Sequence, residues 1–336
     1  MNIVHLVIPD LFLPEDIAAE ACTDLRLPAL EKLLGRGRSE ILPAIPLENH
    51  LCELFGVTCA ADAPIAAISA VFDGLAAGCW LRADPVHLRL QRDQLLLLPN
   101  AEISADEAGQ MCASLNEHFA GQGMEFFAPH PQRWYVRLDA LPRIRTTPFS
   151  AVLGRNVRGA LPTGEDGAHW HQLFNEIQML LFAHPLNQAR AARGVLAVNS
   201  VWLWGTGDLP SALQKNYGNI SSDDLLVEMF AAAAGVPFAA WPEQWNEDVG
   251  DGRQLLVWTG LRSALQRGDL AAWRSALQDF EAGYFQPLWQ ALRSGKLAQL
   301  ELDILGEHGM RRVLLKRGDA WAFWRRARRL AEYSLV

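Results

Sequence analysis

The chain has 336 residues, half of them hydrophobic and one in five charged, which suits one large α/β domain or two smaller ones with a sizeable core. Its 30 basic and 38 acidic residues leave a net charge of −8, which argues against a nucleic-acid partner because a phosphate backbone demands a basic face. No apolar stretch reaches membrane-spanning length and no signal-peptide pattern opens the chain. A cytoplasmic protein with no membrane partner is therefore expected, with Cys22, Cys52, Cys59, Cys79 and Cys112 reduced and lacking metal-ligand spacing.

Asn2 to Asp10, NIVHLVIPD, reads as a buried strand ending in an acid, and Leu27 to Gly37 as an amphipathic helix stopped by glycine. His50 reads as a helix cap. Strand-like pieces at Cys79–Arg82 and Leu95–Leu98, a helix near Ala105–His118 and a strand at Arg133–Leu138 suit a smaller α+β subdomain. It is placed at roughly residues 75–145, inserted into a core domain of residues 1–74 and 146–336. The HWH at His169–His171 puts its two histidines on opposite sides of an element, a poor metal pair better read as core packing plus a cap. Later come a helix at Asp223–Ala234, a strand at Gln254–Trp258, a long helix from Asp269 to about Leu292, strands at Leu297–Leu305 and Val313–Lys316, and a terminal helix. Strands alternating with helices imply a mostly parallel sheet with helices on both faces. The basic run Arg311–Arg329 interleaves Trp321, Phe323 and Trp324 at helical spacing. It reads as the solvated face of a C-terminal helix with its aromatics in the core, the alternative being a site for an anionic partner.

The densest polar chemistry lies between His169 and Pro210: an Asn175-Glu176-x-Gln178 helix, then HPLNQARAARG (His184–Gly194), then NSVWLWGTGDLP (Asn199–Pro210). This wording resembles the central part of the cofactor-independent phosphoglycerate mutases of the archaeal type, members of the alkaline phosphatase superfamily. NEIQMLL, HPLN and NSVWLWG are also similar to the RpfE-type regulatory proteins of bacteria. The resemblance implies an alkaline-phosphatase-like α/β fold. Two readings of the run stay open. Arg190 could hold a small phosphorylated or other anionic metabolite in a cleft between main sheet and insert, with Asn175, Glu176, Asn187, Asn199 and Trp204 around it. Alternatively, the same groups form a polar network locking helix to strand, with Gly205 and Gly207 in a tight turn.

In that superfamily, two divalent metal ions (here manganese or zinc) and a Ser or Thr nucleophile move a phosphoryl group, on about six Asp and His ligands. Asp10 stands where the family has its first ligand, but Leu11 and Phe12 replace the usual Gly and second Asp. Leu47 stands at the nucleophile position and Glu48 at the following Asp; leucine can form no phosphoenzyme, and His50 is a possible substitute if it is not the helix cap. The next metal cluster falls on Arg262, Ser263 and Leu265, and no histidine occurs between His184 and His308. Arginine stays cationic and opposes a metal rather than binding one. Glu307 and His308 could replace the last Asp-His pair, or sit in a hairpin turn between two strands. The expectation is therefore no catalytic residue, no cofactor, and only Asp10, Glu307 and His308 as vestigial metal candidates. The protein would be phosphoglycerate-mutase-like but without metal-dependent phosphoryl transfer, acting as a regulatory or anion-binding protein with an unidentified protein partner. The alternative is an active 2,3-bisphosphoglycerate-independent phosphoglycerate mutase or phosphohydrolase that carries two metal ions on unusual ligands.

Overall fold

The computed structural model describes residues 2–59, 62–98, 102–246 and 252–333. The chain divides into two compact units, Met1–Phe55 with Gln214–Val336, and Gly56–Leu213. It opens in the first with β1 (Ile3–Pro9), α1 (Glu15–Ala21), α2 (Pro28–Arg36), β2 (Arg38–Leu42) and α3 (Leu47–Leu54). The second unit holds α4 (Ile65–Phe72), β3 (Cys79–Gln91), β4 (Gln94–Leu98), α5 (Ala105–His118), β5 (Met124–His130), β6 (Arg133–Leu138) and the short β7 (Ile144–Arg145). It continues with α6 (Phe149–Val152), the short β8 (Thr163–Gly164), α7 (Gly167–Ala183), α8 (Pro185–Ala192) and β9 (Ser200–Gly207). The first unit resumes with β10 (Asn219–Ser222), α9 (Leu225–Ala234), β11 (Phe238–Ala240), β12 (Arg253–Val257), α10 (Arg262–Gln266), α11 (Leu270–Phe280), α12 (Gln286–Ser294), β13 (Gln299–Leu305) and β14 (Met310–Lys316). Among the described residues no helix is long and apolar enough to cross a membrane. All five cysteines are free thiols.

The first unit is a mixed α/β layer structure on a seven-stranded sheet of order β11-β10-β12-β1-β13-β14-β2. β1 runs parallel to both β12 and β13, whereas β14 is antiparallel to β13 and β2. A central parallel strand is covered on both faces, which is why β1 is apolar almost throughout. Strand alternation then sorts its side chains. Leu6 and Ile8 of β1 and Leu300, Leu302 and Ile304 of β13 join a core with Leu30 and Leu33 of α2, Trp273 and Leu277 of α11 and Leu288 of α12. His5, Glu301 and Asp303 take the alternate positions and turn to the face where α3 lies. The long helix expected from Asp269 is continuous from α11 to α12 through a single π turn, Glu281–Phe285. That turn carries the buried Glu281, whose carboxylate accepts the Ala29 and Leu30 backbone N–H groups and so caps the start of α2.

The expected terminal helix is absent. Two isolated 3₁₀ turns, Asp319–Trp321 and Leu330–Tyr333, replace it, and Trp321, Phe323 and Trp324 are exposed rather than in the core. Side-chain bonds to the backbone fix the irregular path. Arg36 donates to the Ala320 carbonyl and Arg325 to the Arg36 carbonyl. Gly35 lets this strap lie against α2, since a Cβ there would come within 2.8 Å of the Arg326–Ala327 backbone.

In the second unit β3 pairs β6 and β9 through its first half and β4 through its second, and β5 completes the sheet. The unit spans residues 56–213 rather than the expected 75–145. The cause is β9, which pairs antiparallel along β3 from Trp80↔Gly207 to Val86↔Ser200, and α7, whose Trp170, Leu173 and Ile177 share a core with Met111 and Leu115 of α5. The whole run from His169 to Gly207 thus belongs to this unit.

Candidate functional site

The carboxyl ends of parallel strands are where an open α/β sheet offers a crevice to ligands. Here β1 ends in Asp10, β10 in Asp223 and Asp224, and β12 leads through Thr259 to Arg262 at the start of α10. Asp10 adopts a left-handed backbone (φ 63°) and donates its N–H to the Leu305 carbonyl. A non-glycine residue in that conformation is uncommon and gathers at functional turns. Arg262 Nε lies 3.2 Å from Asp10 Oδ2, and its Nη1 lies 3.7 Å from Asp224 Oδ2. Burial disfavours this guanidinium's charge, but Asp10, Glu48 and Asp224 more than offset it and raise its pKa. Asp223 accepts the Thr259 N–H at 2.8 Å, and burial pushes its carboxyl above the usual range. Two strand-end carboxylates, Asp10 and Asp224, therefore face one cation, and that cation is a guanidinium.

The nucleophile position offers no chemistry. Leu47 is the first residue of α3 and is buried. The donor set does not fit the two-metal group that the family resemblance implies: a fixed positive charge sits against Asp10, and the residue at the expected nucleophile position is a leucine.

A second polar cluster lies inside the sheet. His5, His50 and Asp303 are each at most 1% exposed, and their ligand-type atoms all lie within 4.8 Å of one another. Asp303 Oδ2 is 2.9 Å from Nε2 of both histidines. Arg312 of β14 grips the same carboxylate with two prongs, Nε to Oδ1 at 2.7 Å and Nη2 to Oδ2 at 2.8 Å. The chain of contacts continues from His5 Nδ1 to the Tyr217 hydroxyl at 2.9 Å, and from His50 Nδ1 to Glu53 at 3.3 Å. Arg253, 2.9 Å from Glu301, stacks over the Tyr217 ring. Burial alone would raise the Asp303 pKa, but the bonds from Arg312, His5 and His50 outweigh it and hold the carboxyl far below the usual range. Bonding to Asp303 raises the pKa of Arg312 in return. Here too a guanidinium serves as the cation of a set of metal-type ligands.

The remaining sequence candidates separate. Arg190 does not line an anion cleft: it is 1% exposed, and its guanidinium donates to the Leu196 carbonyl at 2.9 Å, the Glu102 carbonyl at 2.6 Å and Glu107 Oε2 at 2.7 Å. Its donors are committed within the fold. Asn187 donates to the Leu181 and Val198 carbonyls and accepts the Val198 N–H. Asn199 acts as an extra ladder rung, accepting the Leu88 N–H and donating to the Leu88 carbonyl. Trp204 donates its indole N–H to Asp84, which Arg82 holds from the other side. Asn175 is exposed, and Glu176 pairs with His118 at 3.7 Å on the surface. The two glycines of the run allow close packing: a Cβ on Gly205 would lie 3.1 Å from Ile65 Cβ, and one on Gly207 2.8 Å from Pro64 Cβ. Glu307 and His308 occupy the exposed turn of the β13–β14 hairpin, closed by the Gly306 N–H on the Gly309 carbonyl. His50 is not a cap but an interior residue of α3, and His171 donates to or accepts at no metal-like cluster, lying 2.8 Å from the Pro162 carbonyl.

Sequence reasoning missed His5, Asp303, Arg312 and Asp224. The first two carried a signal: a lone ionisable residue inside an otherwise apolar, buried strand needs a partner.

No protein-family model matches the chain. Among individual proteins, the 2,3-bisphosphoglycerate-independent phosphoglycerate mutase of Methanosarcina mazei is 26% identical over 219 residues, 60% of this chain and 55% of that protein. In sequence, the chain is similar to the cofactor-independent phosphoglycerate mutases. The Methanothrix thermoacetophila mutase of the same name is 34% identical over 112 residues, covering 32% of this chain and 27% of its own length. The chain thus spans about half the length of the first of these relatives. In structure, the PH0037 protein from Pyrococcus horikoshii superposes with a TM-score of 0.57 at 13% identity, over 98% of this chain and 92% of its own. The largely parallel central sheet and flanking helices make an alkaline-phosphatase-like α/β fold, as the sequence resemblance implies.

Proposed function

We propose that this phosphoglycerate-mutase-like chain does not transfer phosphoryl groups by the two-metal route, and serves as a non-catalytic regulatory or binding protein of the cytoplasm. The observation that carries this reading is Arg262 seated against Asp10 and Asp224, with Leu47 at the nucleophile position. A divalent ion at these carboxylates would have to displace a guanidinium already compensated by them, and Leu47, at the expected nucleophile position, has no hydroxyl to accept a phosphoryl group. The five free cysteines are compatible with a reducing compartment.

The test uses the purified protein with manganese and zinc. Phosphoglycerate interconversion should be absent, tightly bound metal should fall below about one ion per chain, and neither added metal nor a chelator should move the melting temperature. Arg262→Ala should uncover the carboxylates and give a manganese-dependent rise in melting temperature that the wild type lacks. Stoichiometric metal with mutase or phosphatase turnover in the wild type would overturn the proposal and establish an active enzyme with unusual ligands.

A further inference from the structure

The C-terminal strap and helices α2 and α12 border an open pocket of about 240 Å³. Its cations are Lys32 and Arg36 of α2 and Arg293 of α12, and its aromatic walls are Trp289, Trp321 and Phe323. Among the described residues no acidic side chain lines it. On a chain of net charge −8, three convergent cations mark a local reversal of the field. Trp289 is nearly buried, but Trp321 is 56% and Phe323 80% exposed, a large apolar surface to leave in water. Two cation–π stacks frame the space, Arg36 over Trp289 at 5.1 Å and Arg293 over Trp321 at 5.2 Å. Arg36 has committed Nη1 to the Ala320 carbonyl at 2.6 Å, but its Nε is buried and finds no acceptor among the described residues. These contacts fix the Arg36 guanidinium between Trp289 and the strap, leaving Lys32 and Arg293 as the adjustable cations of the pocket.

We propose that this pocket binds a small ring-bearing phosphate monoester, with its ring against Trp321 and Phe323 and its phosphate held by Lys32 and Arg293. A dianionic phosphate suits several cations at short range better than a carboxylate does, and a flat ring suits exposed aromatic faces. A volume of about 240 Å³ takes one flat base, with a pentose and phosphate reaching the open rim.

Adenosine monophosphate is the probe, with adenosine and inorganic phosphate as its two halves. Binding is followed by calorimetry and tryptophan fluorescence on the full chain. Adenosine monophosphate should bind saturably and at least about tenfold more tightly than either half. Trp321→Ala should weaken the nucleotide and adenosine by about tenfold while sparing phosphate, and the Lys32→Glu/Arg293→Glu pair should do the converse. All three side chains lie at the surface of the pocket, and circular dichroism checks that the variants fold. A flat titration, affinity no better than that of phosphate, or unchanged binding in both variants would refute the site. So would binding to phosphatidylglycerol vesicles without nucleotide binding, which would make the patch a membrane contact.

Discussion

Asp303→Asn removes the charge at the centre of the buried cluster while nearly keeping its shape. In the wild type the carboxylate is fully buried and compensated by the two-pronged Arg312 and by both histidines. The amide leaves Arg312 with only its longer contact to Glu301, 3.5 Å, and its NH₂ group faces donors where an acceptor was needed. Breaking one side of a buried ion pair costs about 3–5 kcal/mol, much more than the pair itself contributes relative to apolar replacements. With an unfolding entropy of about 2.1 cal/mol/K per residue, 336 residues shift by about 1.4 °C per kcal/mol, so melting should fall by roughly 4–7 °C.

The pH dependence supplies an independent check. The folded Asp303 pKa is depressed, so its contribution to stability is complete above the unfolded carboxylate value of about 4. It is lost as pH falls from there toward the folded value. The gap between wild type and Asp303→Asn should therefore stay constant from pH 7 to 5 and narrow below about pH 4. Adding Arg312→Met to Asp303→Asn should recover part of the loss, since the uncompensated charge is then gone. Chemical denaturation and calorimetry read all three quantities. A single variant within about 1 kcal/mol of wild type, or a gap that widens on acidification, would refute the account.

Two further variants test the second unit. Arg190→Ala should lower stability by about 3 kcal/mol, because it leaves the Leu196 and Glu102 carbonyls without their donor and Glu107 with only Arg193 and the Ser104 N–H, and should leave any response to phosphorylated metabolites unchanged; a lost metabolite response at normal stability would restore the anion-cleft reading. Asp62 accepts both the N–H and the hydroxyl of Thr146, and burial nonetheless pushes its pKa up to about 6. A raised carboxyl contributes stability that is present below about pH 4 and lost as pH rises through about 6, so Asp62→Asn should be more stable than wild type at pH 7 to 8 and should flatten stability between pH 4 and 6. Equal pH slopes in the two proteins would disprove the shift.

Much of the architecture was legible because periodicity and burial are local. The apolar run ending at Asp10 could only be a central strand, and the Ser104–Glu107 capping box marks the start of α5 within the chain's own text. Two features resisted for different reasons. The C-terminal strap has helical spacing but is held by bonds from Arg36 and Arg325 to backbone carbonyls, long-range contacts that override a pattern read over a dozen residues. The subdomain boundary depended on which strand pairs β3, and β9 lies more than a hundred residues away in sequence. At the site, the departures at Leu47 and Arg262 were readable as losses. What could not be read was the partner each charge would find, because Asp303 meets His5, His50 and Arg312 from three separate elements.

The two arginines follow one physical logic. A carboxylate at a strand end, or inside a sheet, is costly unless a positive charge stands beside it. In a two-metal protein that charge comes from ions, and the folded state then depends on their concentration. Arg262 and Arg312 supply it covalently, from α10 and β14, and each makes directional bonds that a spherical ion does not. On the proposed reading, an arginine in place of an ion leaves the acids and the backbone turn at Asp10 but supplies none of the Lewis acidity that phosphoryl transfer uses. Persistence of acidic residues at these positions is thus no evidence for catalysis. A carboxylate kept beside a built-in guanidinium has a structural role sufficient to explain it.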